Sequence, residues 1–249
     1  MKDKHFFEEI YKNYHKSEFI YSDPIQFPHR FKRKMDIEVA GFISSSLSYG
    51  NVKQIINSLN KIFQKMGESP FYYLKKSSAK KIEKDFKNFN HRFTKGKELV
   101  LFLLNLKRIY SRHRSLNEFF IKHYNNTDEF LDKAIYNFSK EFSFYPTPTL
   151  IPSPFKKSAF KRLNLFLRWM IRKDEIDFGI WEKIPPSTLI IPLDTHMLNI
   201  SNKLNITKRK DSSMKTAIEI TNFFRKINPS DPVKYDFSLT RAPILRQFI

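Results

Sequence analysis

The amino-acid sequence predicts an all-α protein arranged as two closely packed helical lobes. Apolar residues recur at three-to-four spacing through most of the chain, and residues that favour helix N-caps precede these runs. No sustained alternation of apolar and polar residues predicts a larger β-sheet. The 249 residues include only 5 Gly and no glycine-rich phosphate loop, which argues against a dinucleotide-binding fold.

Start and stop signals divide residues 1–142, the predicted first lobe, into helices. Asp36 and Asn51 are placed to act as N-caps, and Gly50 and Gly67 supply left-handed stops. In chain order, the helices predicted here are Phe6–Tyr14, Ile37–Tyr49, one between Asn51 and Gly67, one begun by Ser69 and Pro70, one begun by Ser78, Leu99–Tyr110, one begun by a capping box at Ser115, and Thr127–Phe142.

The chain changes character at residues 143–153. Three prolines in this short run, Pro146, Pro148 and Pro152, predict a linker between the lobes. Residues 154–249 then form the predicted second lobe. Its predicted elements are a helix from Pro154 to Arg172, an irregular or extended segment from Trp181 to Pro192, the helices Thr195–Leu204 and Ser213–Ile227, and a short helix begun by Ser230.

The charge balance points to a polyanionic partner. The chain has 45 Lys and Arg against 25 Asp and Glu, for a formal net charge of +20. Such an excess is typical of nucleic-acid-binding proteins. An AT-rich coding bias, which also favours Asn, Ile and Phe, is the alternative source of the lysines.

Cysteine is absent, which excludes disulfides, cysteine zinc sites, thiol catalysis and cysteine-ligated iron–sulfur clusters. The N-terminal residues are charged where a signal peptide needs an apolar core, and no apolar run reaches the roughly 18 residues of a membrane span. We therefore expect a cytoplasmic, nucleoid-associated protein without a membrane partner.

A basic ridge is predicted on the helix at 154–172, formed at helical spacing by Lys157, Lys161, Asn164, Arg168 and Arg172. Lys161 lies midway along it, where neighbouring cations would disfavour its ammonium form and so favour nucleophilic attack. The alternative explanation of the same spacing is a solvated basic face, which either contacts phosphates or has no binding partner.

Asp194 ends an extended apolar run and directly precedes a predicted helix. Its default role is an N-cap that accepts backbone N–H groups. A carboxylate held there is also suited to stabilise positive charge on a deoxyribose as its base departs. His196 fits a satisfied structural histidine better than a metal ligand, because no second ligand stands at metal-binding spacing.

Two resemblances add to this interpretation. Nearly the whole chain resembles a bacterial family known only as a domain of unknown function, through the segments 23–31, 36–43, 163–170 and 231–237. The segment Leu193–His196 also resembles the part of the helix-hairpin-helix DNA glycosylases that carries their catalytic Asp. This superfamily includes endonuclease III and the 8-oxoguanine glycosylases. The helix with Ser44–Leu47 resembles their early helix and DNA-inserting turn.

The resemblance implies a two-lobed helix-hairpin-helix glycosylase-like fold and a role in base-excision repair. Lys161 would be the Schiff-base nucleophile and Asp194 the catalytic carboxylate, at a spacing similar to that of the archaeal 8-oxoguanine glycosylase type. The chain departs from the pattern before Lys161, where residues 152–156 replace the glycine-containing hairpin turn. At the inserting turn, Ser46 or Leu47 stands in place of the usual amide residue.

By the same resemblance, the partner is double-stranded DNA with a damaged base, an oxidised purine by analogy, bound by a monomer without a metal or other cofactor. The DNA contacts would come from the basic ridge together with Ser46 and Leu47. The candidate walls of a pocket for the extruded base are Phe42, Tyr49, Trp169, Trp181 and Tyr235, for which core packing is the alternative.

Three functions remain open at this point. The first is a DNA glycosylase with AP lyase activity that uses Lys161 and Asp194. The second is a non-catalytic module on the same scaffold that binds damaged or structured nucleic acid through phosphates. The third is a monofunctional glycosylase that uses Asp194 and water. Covalent trapping of DNA separates the first from the other two.

Overall fold

The computed structural model describes residues 3–153, 155 and 158–242. In chain order, the α-helices among these residues are α1 (Lys4–Tyr14), α2 (Lys34–Ser46), α3 (Val52–Met66), α4 (Pro70–Lys76), α5 (Ala79–Phe86), α6 (Gly96–Arg112), α7 (Leu116–Ile121), α8 (Asp132–Phe142), α9 (Lys161–Ile171), α10 (Thr195–Lys203), α11 (Met214–Ile227) and α12 (Asp236–Leu239). The strands β1 (Asn90–His91) and β2 (Thr94–Lys95) form a small antiparallel hairpin. The predicted all-α class is confirmed.

The described residues fall into two compact units, which divide the chain differently from the predicted lobes. The terminal unit contains Met1–Ile20, Asn126–Asp132 and Lys157–Ile249, and the central unit contains Tyr21–Asn125 and Lys133–Lys156. The proline-rich segment at 143–153 therefore belongs to the central unit and does not separate two consecutive lobes. Among the described residues, none of the helices has both the length and the apolar character needed to cross a bilayer.

The first helix, α1, joins the C-terminal helices because an aromatic side chain anchors it there. Phe7 is fully buried, and its ring centroid lies 5.2 Å from that of Phe224 and 5.6 Å from that of Tyr235. Glu8 accepts hydrogen bonds from Lys234 Nζ at 2.8 Å and from the Tyr235 hydroxyl at 2.7 Å. These contacts join residues at opposite ends of the sequence, which local patterns do not predict.

The central unit has an aromatic-rich core. The Phe42 ring stacks on Phe102 with centroids 5.4 Å apart and also contacts Phe138 and Phe142. A buried carboxylate on the same helix, Glu38, accepts hydrogen bonds from the backbone N–H groups that begin α7. Its charge is thereby compensated inside an otherwise apolar core.

The helical hairpin of α2 and α3 is confirmed in outline, but α2 differs from the prediction at both ends. It ends at Ser46 with Leu47 as its C-cap, three residues before the predicted stop at Gly50. Asn51 caps α3 through its side chain, and Gly67 ends that helix at φ 71°. Asp36, however, lies inside the first turn of α2 and is not its N-cap. Its Oδ1 atom instead accepts hydrogen bonds from Ser69 Oγ at 2.6 Å and from the Phe71 N–H at 3.0 Å, at the start of α4.

In the terminal unit, the helix predicted from Pro154 begins later than expected. Phe160 adopts a left-handed conformation at φ 48° and precedes α9, whose first residue is Lys161. Residues 189–191 form a fully buried extended segment before α10. The N–H of Ile191 donates to Thr221 Oγ1 at 3.0 Å, which ties this segment to α11. Lys161 and Asp194 thus both stand at helix starts.

Candidate active site

Lys161 and Asp194 form an ion pair in the terminal unit. The Nζ atom of Lys161 lies 3.4 Å from Oδ2 of Asp194. The side chains are 31% and 28% exposed, respectively, so the pair is partly shielded yet accessible to solvent. The two candidate catalytic residues therefore contact each other, and their catalytic roles stay a prediction.

The two oxygens of the Asp194 carboxylate have different partners. Oδ1 accepts a hydrogen bond from the backbone N–H of Met197 at 2.9 Å, so Asp194 is the predicted N-cap of α10. Oδ2 faces the Lys161 ammonium. Buried neighbours on both sides, Leu193 and Met197, restrict the backbone that carries the carboxylate. Capping therefore fixes the carboxylate and leaves one oxygen directed at Lys161.

Lys161 is held by the turn that precedes α9. Asn164 is fully buried, and its side-chain amide donates to the Ala159 carbonyl at 2.8 Å. The Asn164 N–H donates to the Phe160 carbonyl at 2.9 Å, and the Phe160 N–H donates to Ser158 Oγ at 3.1 Å. These hydrogen bonds fix the backbone at Lys161. Lys161 lies at the N-terminus of α9, where the helix dipole is positive and does not stabilise a cation, so the negative charge of Asp194 is its favourable partner.

A buried ion network begins near the C-terminal end of α9 and includes residues beyond it. Its members are Arg168, Arg172, Asp174, Asp177, Asp231 and Asp236. Arg168 pairs with Asp177 at 3.2 Å and makes a shorter contact with Asp236. Arg172 pairs with Asp174 at 2.8 Å and Asp231 at 2.9 Å, and it also contacts Asp177. Each guanidinium is thus surrounded by carboxylates.

The network is electrostatically linked to the candidate catalytic pair. Burial raises the pKa of Asp236, the Arg168 guanidinium opposes that increase, and the negative charge of Asp194 adds to it. Burial likewise raises the pKa of Asp231. For Asp174, burial acts to raise the pKa, but the contacts with His15 and Arg172 hold it below its ordinary value. Neutralising Asp194 would therefore remove one of the charges that raise the pKa of Asp236.

The predicted basic ridge is corrected by this arrangement. Asn164, Arg168 and Arg172 are all buried; the Asn164 amide donates to a backbone carbonyl, and both arginines pair with carboxylates. Because they are buried, they do not form a solvent-facing surface for phosphates. Lys157 lies outside the described residues. Of the ridge, Lys161 is the described member with a partly exposed side chain.

The predicted inserting turn and base pocket also differ from expectation. Ser46 and Leu47 are each only 1% exposed, so neither is available for insertion into DNA in this conformation. The four aromatic side chains Phe42, Trp169, Trp181 and Tyr235 are buried as well. Their surroundings match the core-packing alternative: Phe42 stacks on Phe102, for example, and Trp181 packs edge-on against Phe166.

Tyr49, the fifth predicted wall residue, is half-buried and supports the β-hairpin. Its hydroxyl donates to the His91 carbonyl at 3.0 Å and lies 2.6 Å from Thr94 Oγ1. His196 is exposed on the first turn of α10. Within the described ranges, no group of three or more His, Cys, Asp and Glu side chains is arranged to hold a metal ion.

Comparison with known proteins identifies the family. A family model described as a protein of unknown function, DUF2400, matches residues 23–245, which is most of the chain. No curated protein and no solved structure matches significantly. The match includes Lys161, Asp194 and every member of the buried ion network. The chain therefore belongs to the DUF2400 family.

Proposed function

We propose that this protein is a DNA glycosylase with AP lyase activity. The observation that carries the proposal is the 3.4 Å approach of Lys161 Nζ to Asp194 Oδ2. An amine beside a fixed carboxylate is the pair that imine chemistry on a deoxyribose requires. The resemblance of Leu193–His196 to the catalytic segment of helix-hairpin-helix DNA glycosylases supports the same assignment.

In the proposed reaction, the Lys161 ammonium gives up a proton to solvent, and the resulting amine attacks C1′ of an everted nucleotide. A bond forms between Nζ and C1′, and the bond between C1′ and the base breaks. The base leaves with the bonding electron pair and takes up a proton. The Asp194 carboxylate stabilises the positive charge that develops on the sugar. The bond between C1′ and O4′ then breaks, O4′ takes up a proton from the nitrogen, and an iminium ion forms between Nζ and C1′. Loss of a C2′ proton to solvent expels the 3′ phosphate.

The charge of the chain favours a nucleic-acid substrate. A formal net charge of +20 attracts a polyanion and makes its binding dependent on salt. This argument is independent of the basic ridge, since most of the cationic residues lie elsewhere in the chain. The charge also supports the alternative of a non-catalytic module that binds damaged or structured nucleic acid.

Borohydride trapping tests the proposal. The protein is incubated with a panel of duplexes that carry an abasic site, an oxidised purine or an oxidised pyrimidine, and borohydride is then added. We expect a covalent protein–DNA adduct, which Lys161→Ala abolishes. The exposed lysine variant Lys208→Ala is the matched control and should still form the adduct.

The other outcomes identify the alternatives. DNA binding without any adduct or base release across the panel would establish the non-catalytic module and overturn the enzyme proposal. Base release without an adduct, detected as alkali-sensitive sites, would identify a monofunctional glycosylase. That outcome would keep Asp194 as the catalytic carboxylate but remove Lys161 from the role of nucleophile.

A further inference from the structure

The β-hairpin of the central unit carries an exposed aromatic ring at its tip. β1 and β2 pair through Asn90 with Lys95 and His91 with Thr94, which leaves a two-residue turn of Arg92 and Phe93. Arg92 adopts φ 51°, the left-handed conformation that such a tight turn requires. Phe93 is 70% exposed. An apolar side chain this exposed at a hairpin tip does not contribute to the core.

The base of the hairpin, in contrast, is firmly anchored. The Tyr49 hydroxyl contacts both the His91 carbonyl and Thr94 Oγ1, and the buried His91 ring contacts Ser58 Oγ at 2.9 Å. Thr94 Oγ1 also makes a short contact with Thr149 Oγ1. Burial lowers the pKa of His91, which favours the neutral ring in these contacts. The exposed tip thus projects from a fixed base.

Cationic residues flank the aromatic tip in the sequence. Residues 87–97 contain Lys87, Arg92, Lys95 and Lys97, all exposed, and no acidic residue. The Arg92 guanidinium lies over the Phe93 ring, 5.4 Å from its centroid. The acidic residue that follows, Glu98, is engaged by the Thr149 N–H at 2.7 Å. The hairpin therefore presents one apolar ring within a positively charged surface.

We propose that this hairpin is a nucleic-acid-binding element in which Phe93 stacks against or between bases while the surrounding cations contact phosphates. The inference rests on the proposed function in taking DNA as the partner. Apolar wedges flanked by Arg and Lys insert at weakened base steps, and a preorganised wedge loses little entropy on binding. A single exposed ring offers too little apolar area for a stable protein interface.

The hairpin lies beside the turn between α2 and α3. The Arg92 side chain packs so closely over Gly50 that a Cβ at Gly50 would lie 2.4 Å from Arg92 Nη1, and His91 Nε2 lies 3.2 Å from the Tyr49 carbonyl oxygen. Ser46 and Leu47, at the end of α2, are buried, whereas Phe93 is exposed. In this proposal the stacking side chain is therefore Phe93 and not Ser46 or Leu47.

The proposal is tested with a duplex that carries 2-aminopurine opposite or next to a tetrahydrofuran abasic site. Full-length protein with Lys161→Ala is used, so that binding is measured without covalent chemistry. We expect protein binding to change the 2-aminopurine fluorescence, and Phe93→Ala to remove that change and weaken binding at least about 5-fold. Phe93→Trp, which keeps an aromatic ring at this position, should retain both the fluorescence change and the affinity. The matched control is Tyr21→Ala, which removes an aromatic side chain that is 80% exposed in the same unit.

The outcomes separate this inference from the proposed function. Unchanged fluorescence and affinity in Phe93→Ala, with trapping intact in the protein that retains Lys161, would overturn the hairpin proposal alone. A signal that depends on Phe93 without any trapping would support the hairpin and count against the enzyme. Phe93-dependent binding to anionic phospholipid vesicles, with no dependence for DNA, would overturn the assignment of the hairpin to nucleic acid. Circular dichroism melting checks that each variant is folded.

Discussion

Lys161 and Asp194 meet at the first turns of two helices, with Nζ and Oδ2 separated by 3.4 Å. The same carboxylate caps α10 through Oδ1, which accepts the Met197 N–H. One oxygen of the Asp194 carboxylate thus stabilises the start of α10, and the other faces the candidate nucleophile Lys161. The capping role of Asp194 and its proposed catalytic role are separable by mutation.

Asp194→Asn should retain the cap and lose the charge. The amide oxygen still accepts from the Met197 N–H, and Asn and Asp are similarly effective N-caps, so the free energy of unfolding should hardly change. Base release should slow by about 100-fold or more, because a neutral amide does not stabilise a developing cation. Single-turnover kinetics and urea denaturation measure the two effects.

Asp194→Ala completes this comparison. It should slow base release as Asp194→Asn does and, in addition, reduce the free energy of unfolding by about 1 kcal/mol through loss of the cap. Equal stability of the Ala and Asn variants would contradict the capping role. An unimpaired rate in Asp194→Asn would contradict the electrostatic role.

Arg168→Leu should destabilise the terminal unit severely. The substitution leaves the buried carboxylate of Asp236 without its guanidinium partner, and it removes one of the two guanidinium groups that contact Asp177. Removal of one partner from a buried ion pair costs about 3–5 kcal/mol. Urea denaturation followed by circular dichroism measures the loss.

An exposed ion pair supplies the control for Arg168. Arg209 pairs with Glu219 at 2.7 Å, with side chains 45% and 42% exposed. Arg209→Ala should change the free energy of unfolding by less than about 1 kcal/mol, because solvent screens such pairs. A loss at Arg168 no larger than the loss at Arg209 would contradict the compensating role of the buried ion network.

Asp174 should contribute to the loss of stability in acid. Its pKa lies below the ordinary value of 3.8, since contacts with His15 and Arg172 outweigh the effect of burial. Its stabilising contribution is therefore complete above about pH 4 and is lost as the pH falls toward the lowered folded-state pKa. Asp231 and Asp236 have the opposite effect on stability. Because their pKa values are raised, the folded state binds their protons more readily than the unfolded state does, which favours folding as the pH falls.

Asp174→Asn isolates this contribution. Urea denaturation between pH 7 and pH 3 should show a shallower decrease in unfolding free energy for Asp174→Asn than for the unchanged protein. The exposed neighbour Glu175 provides the control, and Glu175→Gln should follow the curve of the unchanged protein. Parallel curves for Asp174→Asn and the unchanged protein would rule out a role for Asp174 in the acid dependence.

Gly96→Ala should strain the start of α6 beside the hairpin. A Cβ atom at this position would lie 2.1 Å from the Lys87 carbonyl oxygen, which belongs to the backbone and has little freedom to shift. Overpacking of this kind costs about 1–3 kcal/mol. Thermal denaturation should show a lower melting temperature for Gly96→Ala and little change for the exposed control Lys97→Ala. Equal melting temperatures would show that the backbone relaxes without cost.

The local signals in the sequence predicted several features of the structure. Helical spacing of apolar residues predicted the all-α class, and the side chains of Asn51 and Asp194 predicted two N-caps. Such features depend on residues within about one helical turn of each other, so they can be predicted directly from the sequence. The pairing of Lys161 with Asp194 was also predicted, but from a family resemblance and not from local chemistry.

The burial of α9 illustrates what local patterns leave open. Lys161, Arg168 and Arg172 share a helical spacing, which a solvated basic face would also have. Asp231 and Asp236 lie 59 and 68 positions further along, and their carboxylates help to enclose two of these cations, which a local pattern does not predict. The Asp residues at 174 and 177 were the available signal, since they closely follow the two arginines.

The sequence by itself determined the helical class, the cap at Asp194 and the positive charge of the chain, because each depends on composition or on neighbouring residues. Tertiary structure decided the remainder: that α1 joins the C-terminal helices, that Arg168 and Arg172 are enclosed, and that Phe93 is exposed. Burial and ion pairing depend on which distant segments pack together. Which segments pack together is determined by the free energy of the whole fold and not by the sequence of any single segment.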